Sequence, residues 1–345
     1  MPNTEYANIV LQSQLDAVLE TKLNSRTLMA VDTDLAEAAG MIKQINRYNY
    51  TGYVDQVTEG NGNTNTSLIS HTPYSYTVKV YQQKFDVRDE EIMADPKVLD
   101  FGIAAASETM VNHLNDLFFS EIVKTVVDED YASGISYDDI VDAIGKLNLE
   151  EEGSLYILGG NDMRTALRKD DAFVAARQGE IIFSGHIGFL AGIPVIISKK
   201  VETGIVYVAD KNAVRLFLKK DSEVAQERDE DKRTTSYFFR RVGLVALMDG
   251  TKICRLGAAN TDTPTVSATV AGATAVAGAV VAECDFIDVY VNGVKIASGT
   301  HDSTDTDAYS IAVPALVTGD KLKIYARPAG KVGKWSAEVT VTSAD

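Results

Sequence analysis

This 345-residue chain has little cysteine and a deficit of basic side chains. Its two cysteines, Cys254 and Cys284, belong to no C-x-x-C or Cys/His cluster that could hold zinc, so we expect both to be buried or incidental thiols. The 33 basic residues are outnumbered by 49 acidic ones, for a net charge of −16. This balance disfavours a general affinity for nucleic acid or for an anionic membrane.

The chain also lacks long apolar runs. No uninterrupted apolar segment approaches the roughly 20 residues of a spanning helix, and residues 1–6 have neither a basic region nor an apolar core typical of a secretion signal. We therefore expect the chain to be made in a cytoplasm. Its apolar content of 45% and its length indicate a folded protein of two or three domains.

Convergent catalytic residues are missing as well. Gly159 and Gly160 are followed by no Gly-Lys-Ser/Thr or G-x-G-x-x-G pattern, which favours a turn over a phosphate loop. Asp302, Asp305 and Asp307 have a spacing that could suit a calcium ion, but the segment lacks the glycine and the terminal glutamate of an EF-hand loop. The four histidines are scattered: His71, His113, His186 and His301. We therefore predict no catalytic residue, cofactor or metal ligand, and no enzyme.

The first third of the chain reads as a helix followed by a long hairpin. Leucine and valine recur at helical spacing over 11–23. Residues 58–66, which include Gly60 and Gly62, are almost wholly polar and predict an exposed hairpin tip. The return arm places Tyr76 on the half-buried side of an alternating strand. Such a hairpin cannot bury both faces within its own subunit, so we expect a neighbouring chain to cover it.

A long helix follows. Asp95 and Pro96 suit the cap and the first turn, and apolar residues then recur on one face to about residue 127. Its opposite face, which includes Glu108 and Asp116, is predicted to be solvated or to contact another subunit.

The middle of the chain predicts a compact α/β or α+β domain. Ser136 and Asp139 have the spacing of a capping box, and residues 155–158 form a short apolar strand. Asn161 is predicted to cap the next helix. The charged run 221–233 indicates an exposed loop or ribbon, and the strand predicted over 237–247 returns to the long-helix domain.

The segment 185–198 is the most informative part of the sequence. Its glycines permit backbone angles that other residues avoid, and Pro194 restricts the entry to an apolar strand. This pattern predicts a tight crossing into a buried strand and no reactive centre. The glycines concerned are Gly185, Gly188 and Gly192.

The last 80 residues change to small and β-branched types. Asn292 and Gly293, flanked by alternating apolar residues, are the strongest short hairpin signal. About seven short strands predict an immunoglobulin-like sandwich, with Trp335 in its core or at its rim.

The segment 185–198, together with the run Ala166-Leu167-Arg168-Lys169-Asp170-Asp171, resembles the major capsid proteins of tailed phages, which have the Hong Kong 97-type fold. The order of elements over about 1–258 agrees with this resemblance. It implies an α+β fold with an N-terminal arm, an extended β-hairpin loop, a peripheral domain with a spine helix and an axial domain, plus an all-β immunoglobulin-like sandwich. The implied boundaries are 1–47 for the arm, 48–80 for the extended loop, 81–135 and 236–258 for the peripheral domain with its spine helix at 96–127, 136–235 for the axial domain, 259–263 for a linker and 264–345 for the sandwich.

The resemblance also implies a function and partners. Such proteins form hexamers and pentamers of an icosahedral shell around double-stranded DNA, without sequence-specific binding and away from membranes. A separate scaffolding protein and a portal are expected. Covalent cross-linking at the loop tip is not expected, because no lysine lies between Lys43 and Lys79. The sandwich is expected to decorate the capsid exterior and to bind surface glycans weakly. The first alternative is an encapsulin-type nanocompartment shell, and the second, less favoured one is a surface adhesin. The assembly contacts implied are Gly60, Gly62, Tyr76, Glu108, Asp116, Gly185, Gly188, Gly192 and Pro194.

Overall fold

The structure is a computed structural model, and it describes residues 25–36, 40–57, 62–94, 97–150, 152–170, 188–280, 284–301, 308–328 and 330–343. The described residues fall into two compact units. The first is built from residues within Met1–Glu121 and Val214–Ala246, and the second from residues within Ile122–Ala213 and Leu247–Asp345. The helix predicted over 11–23 and the helix start at Asp95 and Pro96 lie outside the described residues.

The helices are α1 (Asp89–Ala94), α2 (Lys97–Ile122), α3 (Tyr137–Lys146) and α4 (Asn161–Lys169). The strands up to the middle of the chain are β1 (Ala30–Asp32), β2 (Ile42–Thr51), β3 (Leu68–Thr77), β4 (Lys79–Arg88), β5 (Val127–Tyr131), β6 (Leu155–Gly159), β7 (Phe189–Leu190), β8 (Ile193–Ile197), β9 (Val206–Asp210), β10 (Val214–Asp229), β11 (Thr234–Leu247) and β12 (Ile253–Ala258). Those of the C-terminal part are β13 (Thr265–Val266), β14 (Ala275–Ala279), β15 (Cys284–Val291), β16 (Val294–His301), β17 (Ala308–Ala312), β18 (Lys321–Pro328), β19 (Lys334–Trp335) and β20 (Val339–Thr340).

The first unit has a four-stranded sheet in the order β1-β10-β11-β4 with α2 packed on it. Phe85 on β4 stacks on Tyr237 and Phe239 of β11, with ring centroids 5.0 and 5.7 Å apart. Gly102 lets α2 approach this stack, because a Cβ there would lie 2.7 Å from the Phe85 ring. The core also includes Val87, Ile103, Ala106, Val111 and Val224.

The predicted hairpin is present in the same unit. Its arms β2 and β3 pair in continuous antiparallel register, from Ile42 opposite Thr77 to Thr51 opposite Leu68. These two strands form a sheet of their own. The chain then leaves the hairpin at Val78, which is buried, and enters the four-stranded sheet as β4.

The second unit contains a six-stranded sheet in the order β5-β12-β9-β6-β8-β7. Apolar residues of α3 and α4 pack on it, because each helix is apolar on one side only. The predicted capping box at Ser136 and Asp139 is confirmed, since each side chain accepts the backbone N–H of the other residue. The structure places the helix cap before α4 at Gly160, so the prediction of Asn161 as the cap was wrong by one residue.

The rest of the second unit, residues 264–343 as described, forms what we call the C-terminal β domain. It has a three-stranded sheet, β13-β14-β17, and a second sheet in the order β16-β15-β18-β19, with β20 also on β18. Both sheets contribute to one core, which includes Val276, Ile311, Val289 and Ile324. The turn between β15 and β16 has φ of 51° at Asn292 and 81° at Gly293, as the sequence predicted. The specific immunoglobulin-like topology stays a prediction.

Strand pairing divides the chain differently from the predicted boundaries. Residues 214–229, predicted in the axial domain of 136–235, form β10 in the sheet of the first unit. Residues 253–258, predicted in the peripheral domain, form β12, which lies between β5 and β9 in the six-stranded sheet. The long helix ends at Ile122, short of residue 127, because Val127 already begins β5. In the segment between α2 and β5, the hydroxyl of Thr125 donates a hydrogen bond to the Ile253 carbonyl at 2.7 Å.

Candidate assembly surfaces

The hairpin β2–β3 exposes a large apolar surface. A two-stranded hairpin is marginally stable by itself, and exposed apolar patches of this kind mark interaction sites. Within the described residues of this chain the hairpin pairs with no third strand. The exposed fractions are 69% for Ile42, 64% for Tyr50, 54% for Tyr53, 101% for Val54, 48% for Val57, and 67% for each of Leu68 and Ile69.

The region beyond the arms is closed by one carboxylate. Asp55 accepts hydrogen bonds from the backbone N–H of Thr64 at 2.8 Å and from the backbone and side-chain N–H of Asn65, each at 2.7 Å. The hydrogen bonds from Asn65 lower the pKa of Asp55 below its ordinary value, so this closure persists at neutral pH. Gly62 is exposed with open space around its Cα, and Gly60 lies outside the described residues.

Helix α2 carries exposed acidic side chains and an exposed aromatic side chain. Glu108 and Asp116 are exposed, as the sequence predicted for a solvated or intersubunit face. Phe101 on the same helix is 76% exposed and Met93 on α1 is 83% exposed, two apolar side chains that the sequence analysis missed. Tyr76 is half-buried on β3, opposite Lys43.

A charged ribbon tip lies where β10 turns into β11. Arg228 donates to both carboxylate oxygens of Asp89, at 3.2 and 2.8 Å, and its Nε donates to Glu230 at 2.8 Å. The Asp89 hydrogen bonds are the main reason why the pKa of Arg228 is raised. Arg233 pairs with Glu90 at 3.1 Å. The charge run 221–233 was the sequence signal for this tip, although its ion-pair partners were not predictable.

The glycine-rich crossing forms a small hairpin at the edge of the six-stranded sheet. Ala191 and Gly192, with φ of 50° and 83°, make the two-residue turn between β7 and β8. The carbonyl of Gly188 accepts the N–H of Val195 at 3.1 Å, and Pro194 is exposed on β8. Gly185 lies outside the described residues. These residues belong to the second unit, whereas Gly62, Tyr76, Glu108 and Asp116 belong to the first.

A buried polar cluster joins the six-stranded sheet to the C-terminal β domain, and the sequence analysis did not identify it. Asp128 on β5 accepts hydrogen bonds from the Tyr325 hydroxyl and from the Gly333 N–H. Arg255 on β12 donates to the Lys331 carbonyl, and Arg327 donates to the Val123 carbonyl at 2.5 Å. Burial raises the pKa of Asp128 above its ordinary value, against the opposing effect of the Tyr325 hydrogen bond.

The part of the chain that the structure describes contains no group of three or more His, Cys, Asp or Glu side chains placed to hold a metal ion. Asp302, Asp305 and Asp307 are outside it. Within the same described ranges, no helix is both long enough and apolar enough to cross a membrane.

Comparison with known proteins adds three likenesses, although no protein-family model matches the chain. Over 258 residues the chain is 25% identical to the major capsid protein of Staphylococcus phage phiMR11, a match that covers 72% of this chain and 91% of that protein. The capsid structure of cyanophage P-SCSP1u aligns with a TM-score of 0.56 at 13% identity, over 70% of this chain and 89% of the other. A virus-like particle from Pyrococcus furiosus aligns with a TM-score of 0.50 at 11% identity, over 72% and 99%.

Proposed function

Because the chain has the Hong Kong 97-type fold of tailed-phage capsids, as its sequence predicted, we propose that it is the major capsid protein of a tailed phage. Copies of the chain assemble with one another into the icosahedral capsid shell of the virion. The fold alone does not separate a phage coat from the encapsulin-type alternative, because the chain also aligns with the virus-like particle from Pyrococcus furiosus. The sequence likeness to the phiMR11 major capsid protein favours the phage coat. The sequence analysis predicted no catalytic residues, which agrees with a structural coat role.

The observation that carries the proposal is the uncovered hairpin. Seven apolar side chains of the β2–β3 segment are more than 40% exposed in the single chain. A neighbouring copy that lays its surface on this hairpin buries them and supplies the partner that two strands need. The exposed apolar side chains of Phe101 and Met93 belong to the surface that we assign to this contact.

We assign the domains of the coat from the observed strands. The extended loop corresponds to the hairpin of β2 and β3, the spine helix to α2 and the axial domain to the six-stranded sheet with α3 and α4. Hexamers and pentamers, a separate scaffolding protein, a portal and enclosed double-stranded DNA complete the proposal. A net charge of −16 suits a shell that encloses DNA without gripping its phosphates.

The C-terminal β domain is proposed as an immunoglobulin-like decoration on the capsid exterior that binds surface glycans. Its strands form a core of their own, which supports an accessory module. In this proposal, removal of residues 264–345 leaves shell formation intact.

The test is negative-stain electron microscopy of the full chain, with light scattering on the same sample. Shells or rings of five and six subunits support a coat protein. Nucleic acid inside shells recovered from infected cells supports the phage role, whereas a protein cargo supports the nanocompartment. A chain that stays monomeric at high concentration, with scaffolding protein added, contradicts both.

A further inference from the structure

A groove lined by the C-terminal β domain, together with Val126 from outside it, has the size of a ligand site. Its volume is about 570 Å³, within the range of small-molecule sites, whereas two other cavities among the described residues have volumes of about 10 Å³ each. Its lining residues include Val126, Tyr290, Lys321, Lys323, Trp335 and Glu338.

Two aromatic rings form its apolar part. Tyr290 and Trp335 meet edge to face, with centroids 4.9 Å apart, and the buried Tyr325 supports Trp335 from 5.2 Å. Trp335 nevertheless remains 39% exposed. A rigid indole that is held by two tyrosines and still reaches solvent is pre-organised to stack on a flat apolar surface of a ligand.

The polar part of the groove is cationic. Lys323 lies directly opposite Tyr290 in the strand pair β15–β18 and is exposed, and it forms no ion pair with the described residues. Lys321 is paired with Glu338 at 3.1 Å. One available ammonium group beside an aromatic face therefore stands out in a chain of net charge −16.

We propose that this groove binds an acidic carbohydrate, with a pyranose ring stacked on Trp335 and its carboxylate facing Lys323. This inference rests on the proposed glycan binding of the domain and names its site and ligand class. A pyranose offers an apolar face of C–H groups and a rim of hydroxyls, which suit an aromatic platform ringed by polar side chains. Nucleic acid also combines stacking with negative charge, but its affinity depends on several cations along the phosphates, and of the two lysines that line this groove one is paired with Glu338.

The experiment uses the full chain and its single tryptophan, which is Trp335 itself. Tryptophan fluorescence is titrated with tetragalacturonate, with neutral tetragalactose of the same linkage and with an octathymidine oligonucleotide. We expect a saturable response to tetragalacturonate, with an affinity about two- to fivefold above that for tetragalactose. Lys323→Ala abolishes that preference, and Lys211→Ala, which removes an exposed lysine outside the groove, leaves it unchanged.

Three results overturn the proposal: no fluorescence response to tetragalacturonate, equal affinities for the two saccharides, or tighter binding of the oligonucleotide. Electron microscopy of the same preparation separates this proposal from the coat function. Shells without saccharide binding overturn the groove alone. Saccharide binding without shells supports the groove and counts against the coat function.

Discussion

The hydroxyl of Tyr325, in the C-terminal β domain, donates a hydrogen bond to the carboxylate of Asp128, on the edge strand of the six-stranded sheet. The N–H of Gly333 donates to the same oxygen at 2.8 Å, so two groups of one domain converge on one atom of the other. The second carboxylate oxygen, Oδ1, is buried and has no hydrogen-bond partner among the described residues. The C-terminal β domain is therefore held to the sheet by specific buried contacts in addition to the chain connection.

Replacement of Asp128 distinguishes the hydrogen bonds from the charge. Asp128→Ala leaves the hydroxyl of the buried Tyr325 and the N–H of Gly333 without their acceptor, and we expect the free energy of unfolding to fall by about 2–4 kcal/mol. Asp128→Asn keeps an amide oxygen as the acceptor of both donors and exchanges the unpartnered Oδ1 for an NH₂ group, so we expect a smaller loss, of about 1 kcal/mol. Urea unfolding of the three full chains measures both values. Equal losses in the two variants would contradict this account of the contact.

The charge of Asp128 also predicts a pH dependence. Burial raises its pKa above the ordinary value of 3.8, even with Tyr325, Arg255 and Arg327 acting in the opposite direction. The folded chain thus holds this proton more tightly than the unfolded chain does, and its protonation adds stability as the pH falls through the raised pKa towards 3.8. We expect the stability of the wild type relative to Asp128→Asn to increase as the pH is lowered from neutral. Thermal unfolding of both chains across this range checks the sign, and a decrease refutes it.

Two glycines provide a matched pair of substitutions. At Gly243 on β11, a Cβ would lie 2.6 Å from the carbonyl oxygen of Phe217, a backbone atom that cannot move aside easily. We expect Gly243→Ala to lower the free energy of unfolding by about 1–3 kcal/mol. At Gly145 in α3 a Cβ meets nothing within 4 Å, so Gly145→Ala should add about 0.5–1 kcal/mol. Denaturant unfolding measures both, and a gain at Gly243 would mean that the two strands separate more readily than the contact implies.

The hairpin is expected to matter for assembly and little for the stability of the single chain. Ile69 is 67% exposed on β3, so Ile69→Lys should change the free energy of unfolding by no more than about 0.5 kcal/mol. A charge at this position does have to be buried in the proposed contact with a second copy, and we expect shells to be lost. Light scattering and electron microscopy report assembly. Ser75→Lys, at an exposed polar position of the same strand, is the control, and equal assembly of both variants would exclude the hairpin as a contact.

The two thiols should be unreactive in the folded chain. Cys254 and Cys284 are 0% and 2% exposed, and burial raises the pKa of Cys254 to about 12. Because the thiolate is the reactive form, we expect no reaction with an aromatic disulfide reagent under native conditions and two equivalents in urea. Fast native reaction of either thiol would indicate local opening of its strand.

Two local signals in the sequence were confirmed by the structure. The capping box at Ser136 and Asp139 and the turn at Asn292 and Gly293 each involve residues within one turn of chain, so their chemistry can be read directly. The predicted domain boundaries did not indicate the sheets that β10 and β12 join, because strand partners are chosen by packing between distant segments and leave no local mark. The exposed Phe101 was missed for a similar reason: a helix pattern marks an apolar residue without showing whether anything covers it.

The sequence by itself determined the capsid fold class, the order of hairpin, long helix and central domain, and the presence of a β-rich C-terminal region. Periodicity, turn residues and the glycine-rich crossing carry that information because they act over a few residues. Only the tertiary structure decided which strands share a sheet, and that Asp128 meets Tyr325 across 197 positions of sequence. It alone placed Trp335, Tyr290 and Lys323 around one groove, since such contacts depend on the packing of whole domains and not on spacing along the chain.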